Sequence, residues 1–250
     1  MKALFLLSCS SLLWSDSGSP VRAANAQNLD AEYSAKIAGI SVGEAHVTGI
    51  LGQASYRIRV VVNYEVLGFS GSFDGAVVGS VINVTGLSPT DYQSSSTFKS
   101  PFSGRWARTT TIVFEKGKIA HYTIEPPLTQ PEERYRVPLG DPLKEGVVDP
   151  ISGIVAQLLR ASATQDRCYG TDHVFTGVNS FDLKGTAGAR TAAGESTCLV
   201  GFYPVAGHLR KTSASFVSIV LASRDQTTLK LPDRLEVPLP VGALVVERTR

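Results

Sequence analysis

Residues 149–159 read Asp149-Pro150-Ile151-Ser152-Gly153-Ile154-Val155-Ala156-Gln157-Leu158-Leu159, the one clear helical pattern in a segment that runs on to Leu209. Asp149 is a favourable N-cap because its carboxylate accepts backbone N–H groups of the first turn. Pro150 suits the first helical position, where its missing N–H is not needed. Apolar residues then recur at spacings of three and four, which predicts an amphipathic helix of about three turns. Strand-like sequence lies on both sides, so we expect the apolar face to pack on a β-sheet.

Two cysteines, Cys168 and Cys198, follow this helix. If the protein is exported, they are expected to be oxidised to each other, because exported proteins keep disulfides. The bridge would stabilise the fold by roughly 3–4 kcal/mol in the chain-entropy model. A zinc site that adds His173 and His208 is the alternative, but neither spacing matches a zinc finger. The disulfide is therefore the favoured interpretation.

The amino terminus predicts export to the periplasm. Met1-Lys2 is a short basic region, residues 3–14 are uncharged and apolar, and Ala24-Asn25-Ala26 is a typical cleavage pattern. The prediction is a signal peptide over residues 1–26, with cleavage after Ala23 as the alternative. A lipobox ending at Cys9 is less favoured because only eight residues precede that cysteine. No later segment approaches the ~20 apolar residues of a membrane-spanning helix.

The charge composition does not favour a nucleic-acid partner. The chain carries 24 Lys and Arg against 22 Asp and Glu, a formal charge of +2, so no basic surplus favours nucleic acid. Residues 27–250 are predicted to form a single all-β domain, since no Pro-, Gly- or Ser-rich linker divides them.

The rest of the chain shows strand patterns. Residues 56–66 alternate between apolar and polar side chains, which predicts a half-buried strand, and residues 108–114 and 118–124 predict a hairpin turning at 115–118. Residues 31–50 predict two short strands that turn at 39–43. The polar residues 94–98 predict an outer strand. With five later segments, the pattern predicts ten to twelve strands and no βαβ alternation. The predicted fold is a large curved antiparallel sheet forming an open or partly closed β-barrel or β-spiral, with one short helix packed against it.

These features carry a resemblance to a known family. The residues concerned are Tyr33, Gly39, Gly43, Asp149-Pro150-Ile151-Ser152, Cys168, Phe175-Thr176-Gly177, Phe181-Asp182-Leu183, Cys198 and Tyr203-Pro204-Val205-Ala206-Gly207-His208. On them the chain resembles the periplasmic family catalogued as domain of unknown function 3108, over most of residues 28–248. The resemblance implies an exported all-β protein without assigned enzymology. More distantly, the architecture is similar to envelope integrity protein B and to the half-open barrels of lipoprotein carriers.

Candidate catalytic patterns are weak. Ser96-Thr97-Phe98-Lys99 matches the Ser-x-x-Lys motif of penicillin-recognising proteins, but a strand turns those two side chains to opposite faces. No Gly-x-Ser-x-Gly elbow occurs. Paired carboxylates at Glu132-Glu133 and at Asp141 and Asp149 are typical of solvated loops, and His46 and His121 of surface positions. We predict no catalytic residue, metal site or cofactor.

The sequence leaves the helix as the best candidate for a binding site. We predict a ligand groove formed by Ile151, Ile154, Val155, Leu158 and Trp106. Stacking of Arg105 on Trp106 at a mouth of this groove is one interpretation of that pair, but packing at the edge of the core is the favoured one. The predicted function is a non-enzymatic periplasmic protein of cell-envelope maintenance that binds an apolar or lipid ligand, or an envelope protein partner. A hydrolase acting on envelope polymers or esters and a structural subunit of an envelope assembly are the alternatives.

Overall fold

A computed structural model of the protein describes residues 26–83, 85–102, 104–130, 146–163, 168–189, 197–207, 215–221, 229–239 and 242–250. Within these ranges the chain forms fourteen strands and one helix. The strands are β1 Gln27–Ile37, β2 Ile40–Leu51, β3 Ser55–Val66, β4 Phe69–Asn83, β5 Gly86–Ser100, β6 Gly104–Glu115, β7 Lys118–Glu125, β8 Val147–Val148, β9 Gly170–Phe175, β10 Ser180–Ala187, β11 Thr197–Ala206, β12 Ser215–Leu221, β13 Pro232–Pro238 and β14 Ala243–Arg248. The helix, α1, is Pro150–Ala163.

All fourteen strands belong to one sheet in the order β7-β6-β5-β4-β3-β2-β1-β14-β13-β12-β11-β10-β9-β8. Neighbours are antiparallel except β8 and β9, which are parallel. The sheet curves into a nearly closed barrel with one unsealed seam, so the predicted fold class is confirmed. At the seam the Gly146 N–H donates to the Gly117 carbonyl at 3.0 Å, and the rings of Tyr122 and Phe175 lie 5.6 Å apart.

Tight two-residue turns connect three of the hairpins. Ala38-Gly39, Leu67-Gly68 and Lys116-Gly117 each place both residues at positive φ, the geometry that matches the twist of the flanking strands. The predicted hairpin at 115–118 is confirmed. The predicted turn at 39–43 is wrong, because this tight turn lets β2 begin at Ile40 and both flanking strands run longer than expected.

The prediction that residues 94–98 form an outer strand is also wrong. They belong to β5, which pairs with β4 on one side and with β6 on the other. Ser94 suits a crowded part of the inner wall. It is buried opposite Gly75, where an added Cβ would lie 2.5 Å from the Phe73 ring and 3.0 Å from the Ile151 side chain of the helix. Small residues form the wall here because both the Phe73 ring and α1 lie close to it.

The helix lies inside the barrel. Asp149 occupies the N-cap position, and its Oδ1 accepts hydrogen bonds from the N–H groups of Ile151 and Ser152 at 2.9 and 3.0 Å. The buried surface of the helix is wider than the single apolar stripe expected from the sequence, because Ser152 and Gln157 are buried as well. Gln157 Nε2 donates to Asp172 at 2.7 Å and to the Leu183 carbonyl at 3.0 Å. The barrel wall therefore surrounds most of α1.

Cys168 and Cys198 form a disulfide. Both are buried, and their Cα atoms lie 5.7 Å apart. The bridge links the chain just before β9 to β11, so neither sulfur is available as a zinc thiolate. His173, proposed as a zinc ligand, instead pairs with Asp182 through Nδ1 at 2.7 Å.

Several predictions fall outside the described residues: the signal peptide up to residue 25, Cys9, Glu132, Glu133, Asp141 and His208. Within the described part of the chain, no helix has the length and apolar character needed to cross a membrane.

Candidate functional site

An apolar cavity of about 570 Å³ lies between α1 and the inner wall of the barrel. Five strands supply most of that wall: β1, β2, β3, β13 and β14. The lining is almost wholly hydrocarbon. An interior cavity with this lining offers dispersion contacts and exclusion from water to an apolar molecule.

One face of the helix forms the inner side of the cavity. Four of the five residues predicted for the ligand groove line it, namely Ile151, Ile154, Val155 and Leu158, together with Pro150. Ile151, Val155 and Leu158 are buried, whereas Ile154 is 52% exposed. An isoleucine that is half exposed in an apolar cavity shows that solvent reaches this part of the site.

The opposite wall explains why the space is unfilled. On β3 the alternation predicted from the sequence places every second residue in the lining, from Ile58 to Val66. Their partners on β2 are short: Val62 pairs with Ala45, and Tyr64 with Gly43. Ala45 contributes little side-chain volume to the cavity, and Gly43 contributes none, because an added Cβ would lie 2.6 Å from the Asn63 carbonyl oxygen. Sequence patterns did not indicate them, because alanine and glycine carry no apolar periodicity.

Trp106, the fifth residue predicted for the groove, does not line the cavity. It lies on β6, is 48% exposed, and its ring lies 5.9 Å from that of Phe98. The cation near its ring is Arg108, at 5.8 Å, and not Arg105, which the stacking interpretation placed there. Adjacent residues of a strand point to opposite faces, so Arg108, two positions along, is the neighbour that shares a face with Trp106.

A buried polar cluster lies at the amino-terminal end of the helix. The Tyr56 hydroxyl and Ser152 Oγ are 2.7 Å apart, and Asp149 is fully buried. Burial raises the pKa of the Asp149 carboxyl to about 6, although hydrogen bonds from Ser152 and Ile151 oppose the rise. Burial also raises the pKa of Tyr56, and that of Tyr92 to about 12. The tyrosines stay neutral at physiological pH, while Asp149 titrates close to it. The sequence identified Asp149 as a cap, and nothing in it indicated the two tyrosines. The interpretation of Asp149 as a solvated loop carboxylate is wrong, because the side chain is fully buried at the start of the helix.

The remaining candidates are dispersed. Ser96 and Lys99 lie on β5, where residues three apart face opposite sides. His46 pairs with Asp30 at 2.8 Å on the surface, and His121 is exposed on β7. Among the described residues, no three metal-ligating side chains come together.

No protein-family model matches this chain, and no significant match occurs among curated proteins or solved structures. The resemblance to the family of domain of unknown function 3108 therefore stays a prediction.

Proposed function

We propose that this protein is a non-enzymatic binding module of the bacterial cell envelope that holds an apolar ligand in the cavity beside α1. The cavity is the observation that carries the proposal, and the signal-peptide pattern at residues 1–26 supports a periplasmic location.

The size of the cavity supports binding rather than a packing defect. Protein interiors are close-packed and contain few voids larger than a water molecule. A volume of about 570 Å³ falls within the roughly 300–1,000 Å³ of small-molecule sites. An apolar ligand in the cavity would supply the dispersion contacts that the lining side chains lack.

The lining also limits the class of ligand. The walls present methyl, methylene and aromatic groups and almost no polar atoms, so a polar head group buried there would lose its hydrogen bonds to water. A molecule that is hydrocarbon along most of its length, such as an acyl chain with its polar end at the mouth, fits this chemistry.

Ile154→Glu is the variant that tests the site. A carboxylate placed in the cavity should weaken the binding of a fatty acid by at least about tenfold, since even about 1.4 kcal/mol of desolvation or repulsion has that effect. Ile154 is half exposed, so the substitution should leave the fold intact. Titration with the fluorescent fatty acid cis-parinaric acid measures the affinity.

Ile82→Glu is the matched control. Ile82 is 69% exposed, lies on β4 and does not line the cavity, so this variant should bind as the wild type does. Equal affinity in wild type and Ile154→Glu, or no binding by the wild type, would overturn the proposal.

A further inference from the structure

One end of the barrel carries large apolar side chains at the tips of its turns. The β3–β4 turn presents Leu67, which is 91% exposed, and the segment after β5 presents Phe102, which is 89% exposed. The two turns adjoin, since a Cβ on Gly68 would lie 3.8 Å from the Pro101 ring. Leu67 also has φ +50°, a conformation in which glycine and asparagine are favoured over a branched apolar residue. Folding therefore does not explain the leucine at this tip.

An aromatic row connects these tips to the cavity. Phe69, Phe98 and Trp106 lie on neighbouring strands, with ring centroids 6.1 and 5.9 Å apart, and Phe102 lies 6.1 Å from Phe69. Phe69 pairs across the sheet with Val66, which lines the cavity. An apolar surface thus runs along the inner wall from the tips to the cavity. We call Leu67, Phe69, Phe98, Phe102 and Trp106 the aromatic rim.

Two cations flank the aromatic rim on the outer face. Lys99 and Arg105 are exposed and directly opposite each other on β5 and β6. Like charges in this arrangement repel, and neither forms an ion pair with any described residue. The acid in the same cross-strand row, Glu65, is separated from Lys99 by Ser70 on the intervening strand. The charge beside the apolar tips is therefore positive.

We propose that the aromatic rim docks on an anionic lipid surface and that acyl chains pass along it into the cavity. This inference rests on the proposed function. Exposed apolar tips bury their side chains at the boundary between head groups and acyl chains, a tryptophan is well suited to that boundary, and Lys99 and Arg105 complement anionic head groups. A lipid surface is favoured over a protein partner because it would also supply the hydrocarbon ligand that fits the cavity.

The chain offers its own reporter, since Trp14 and Trp106 are its only tryptophans. In a Trp14→Phe background, vesicles of equal parts phosphatidylglycerol and phosphatidylcholine should shift the Trp106 emission to the blue. Brominated acyl chains in the vesicles should quench it. Pure phosphatidylcholine vesicles should bind more weakly, and added salt should reduce binding to the anionic vesicles.

The double variant Leu67→Asn/Phe102→Ser tests the tips. Asparagine suits positive φ, so the change should not weaken the fold. Vesicle partitioning should fall by at least about tenfold, because burial of either side chain alone is worth about that factor or more. Ile82→Asn is the control: Ile82, also exposed on β4, lies next to Asn83 at the far end of that strand from Phe69, and it should partition as the wild type does.

Binding of cis-parinaric acid from solution separates this proposal from the previous one. The double variant should still bind the fatty acid from solution, although its binding to vesicles is weakened. If the wild type binds the fatty acid but does not bind anionic vesicles, docking alone is overturned. If the wild type does not bind the fatty acid from solution, the cavity function is overturned. Equal vesicle binding by the double variant would also overturn docking. Docking would also be overturned if the wild type were a dimer that does not bind vesicles and the double variant were a monomer. The aromatic rim would then be an interface between two copies of the chain.

Discussion

Replacement of Cys168 or Cys198 by serine is expected to lower the free energy of unfolding by roughly 3–4 kcal/mol in the chain-entropy model. The bridge spans a sequence separation of 30 residues and joins the chain before β9 to β11. Its loss frees the unfolded chain and also leaves two buried positions without their covalent partner. For a chain of this length the melting temperature should fall by roughly 10 °C, as measured by differential scanning calorimetry.

Reductant supplies the matched control, applied to the chain from residue 27 onward, in which Cys168 and Cys198 are the two cysteines of the sequence. It should lower the melting temperature of the wild type but not that of Cys168→Ser. A wild type that melts at the same temperature with and without reductant would show that the bridge contributes nothing to stability.

Asp149→Asn is expected to remove a large part of the pH dependence of stability. In the folded protein, burial raises the pKa of this carboxyl from 3.8 to about 6, so the folded state binds the proton more tightly than the unfolded state. The resulting stabilisation is fully present below about pH 4 and is lost as the pH rises through about 6. Its size is of the order of 1–3 kcal/mol.

Urea unfolding between about pH 7 and about pH 4 measures this effect. Burial also raises the pKa of the Asp172 carboxyl, so the comparison of wild type with variant isolates the contribution of Asp149. Asparagine keeps an oxygen that accepts the Ile151 and Ser152 N–H groups, and it is as good an N-cap as aspartate. The wild type should gain stability relative to Asp149→Asn on acidification. Parallel pH profiles would contradict the burial of an ionisable Asp149.

The features predicted correctly from the sequence are those with local signals. Alternation identified β3, the turn residues Lys116 and Gly117 identified the hairpin of β6 and β7, and Asp149 and Pro150 marked the start of α1. Each of these patterns reflects contacts within a few residues or a fixed periodicity.

The errors arise where distant strands determine the environment of a residue. Ser94 looks like a surface residue, yet it is buried because the helix approaches β5 from inside the barrel. Trp106 was assigned to the groove by its chemistry, but its position on β6 places it in the aromatic rim. Ala45 and Gly43 line the cavity only because β2 faces the helix across the barrel. No pattern along the chain encodes that distance.

The cavity is the part of the barrel interior that the helix does not fill. A 14-stranded sheet would enclose a wide interior, and α1 fills the part of it against β9 and β10, where Gly153 packs on Val174 and Leu183. On the other side the cavity separates the helix from the wall formed by β1, β2, β3, β13 and β14. An apolar ligand is expected to take that place.

The most direct test is a crystal structure of the protein grown with a fatty acid brominated at the end of its chain. Anomalous scattering distinguishes the bromine from the carbon, nitrogen, oxygen and sulfur atoms of the protein. We expect a bromine peak in the cavity, in contact with Ile154 or with the β3 side chains opposite it. A peak confined to the outer surface of the barrel, or an empty cavity with the fatty acid at saturating concentration, would contradict it.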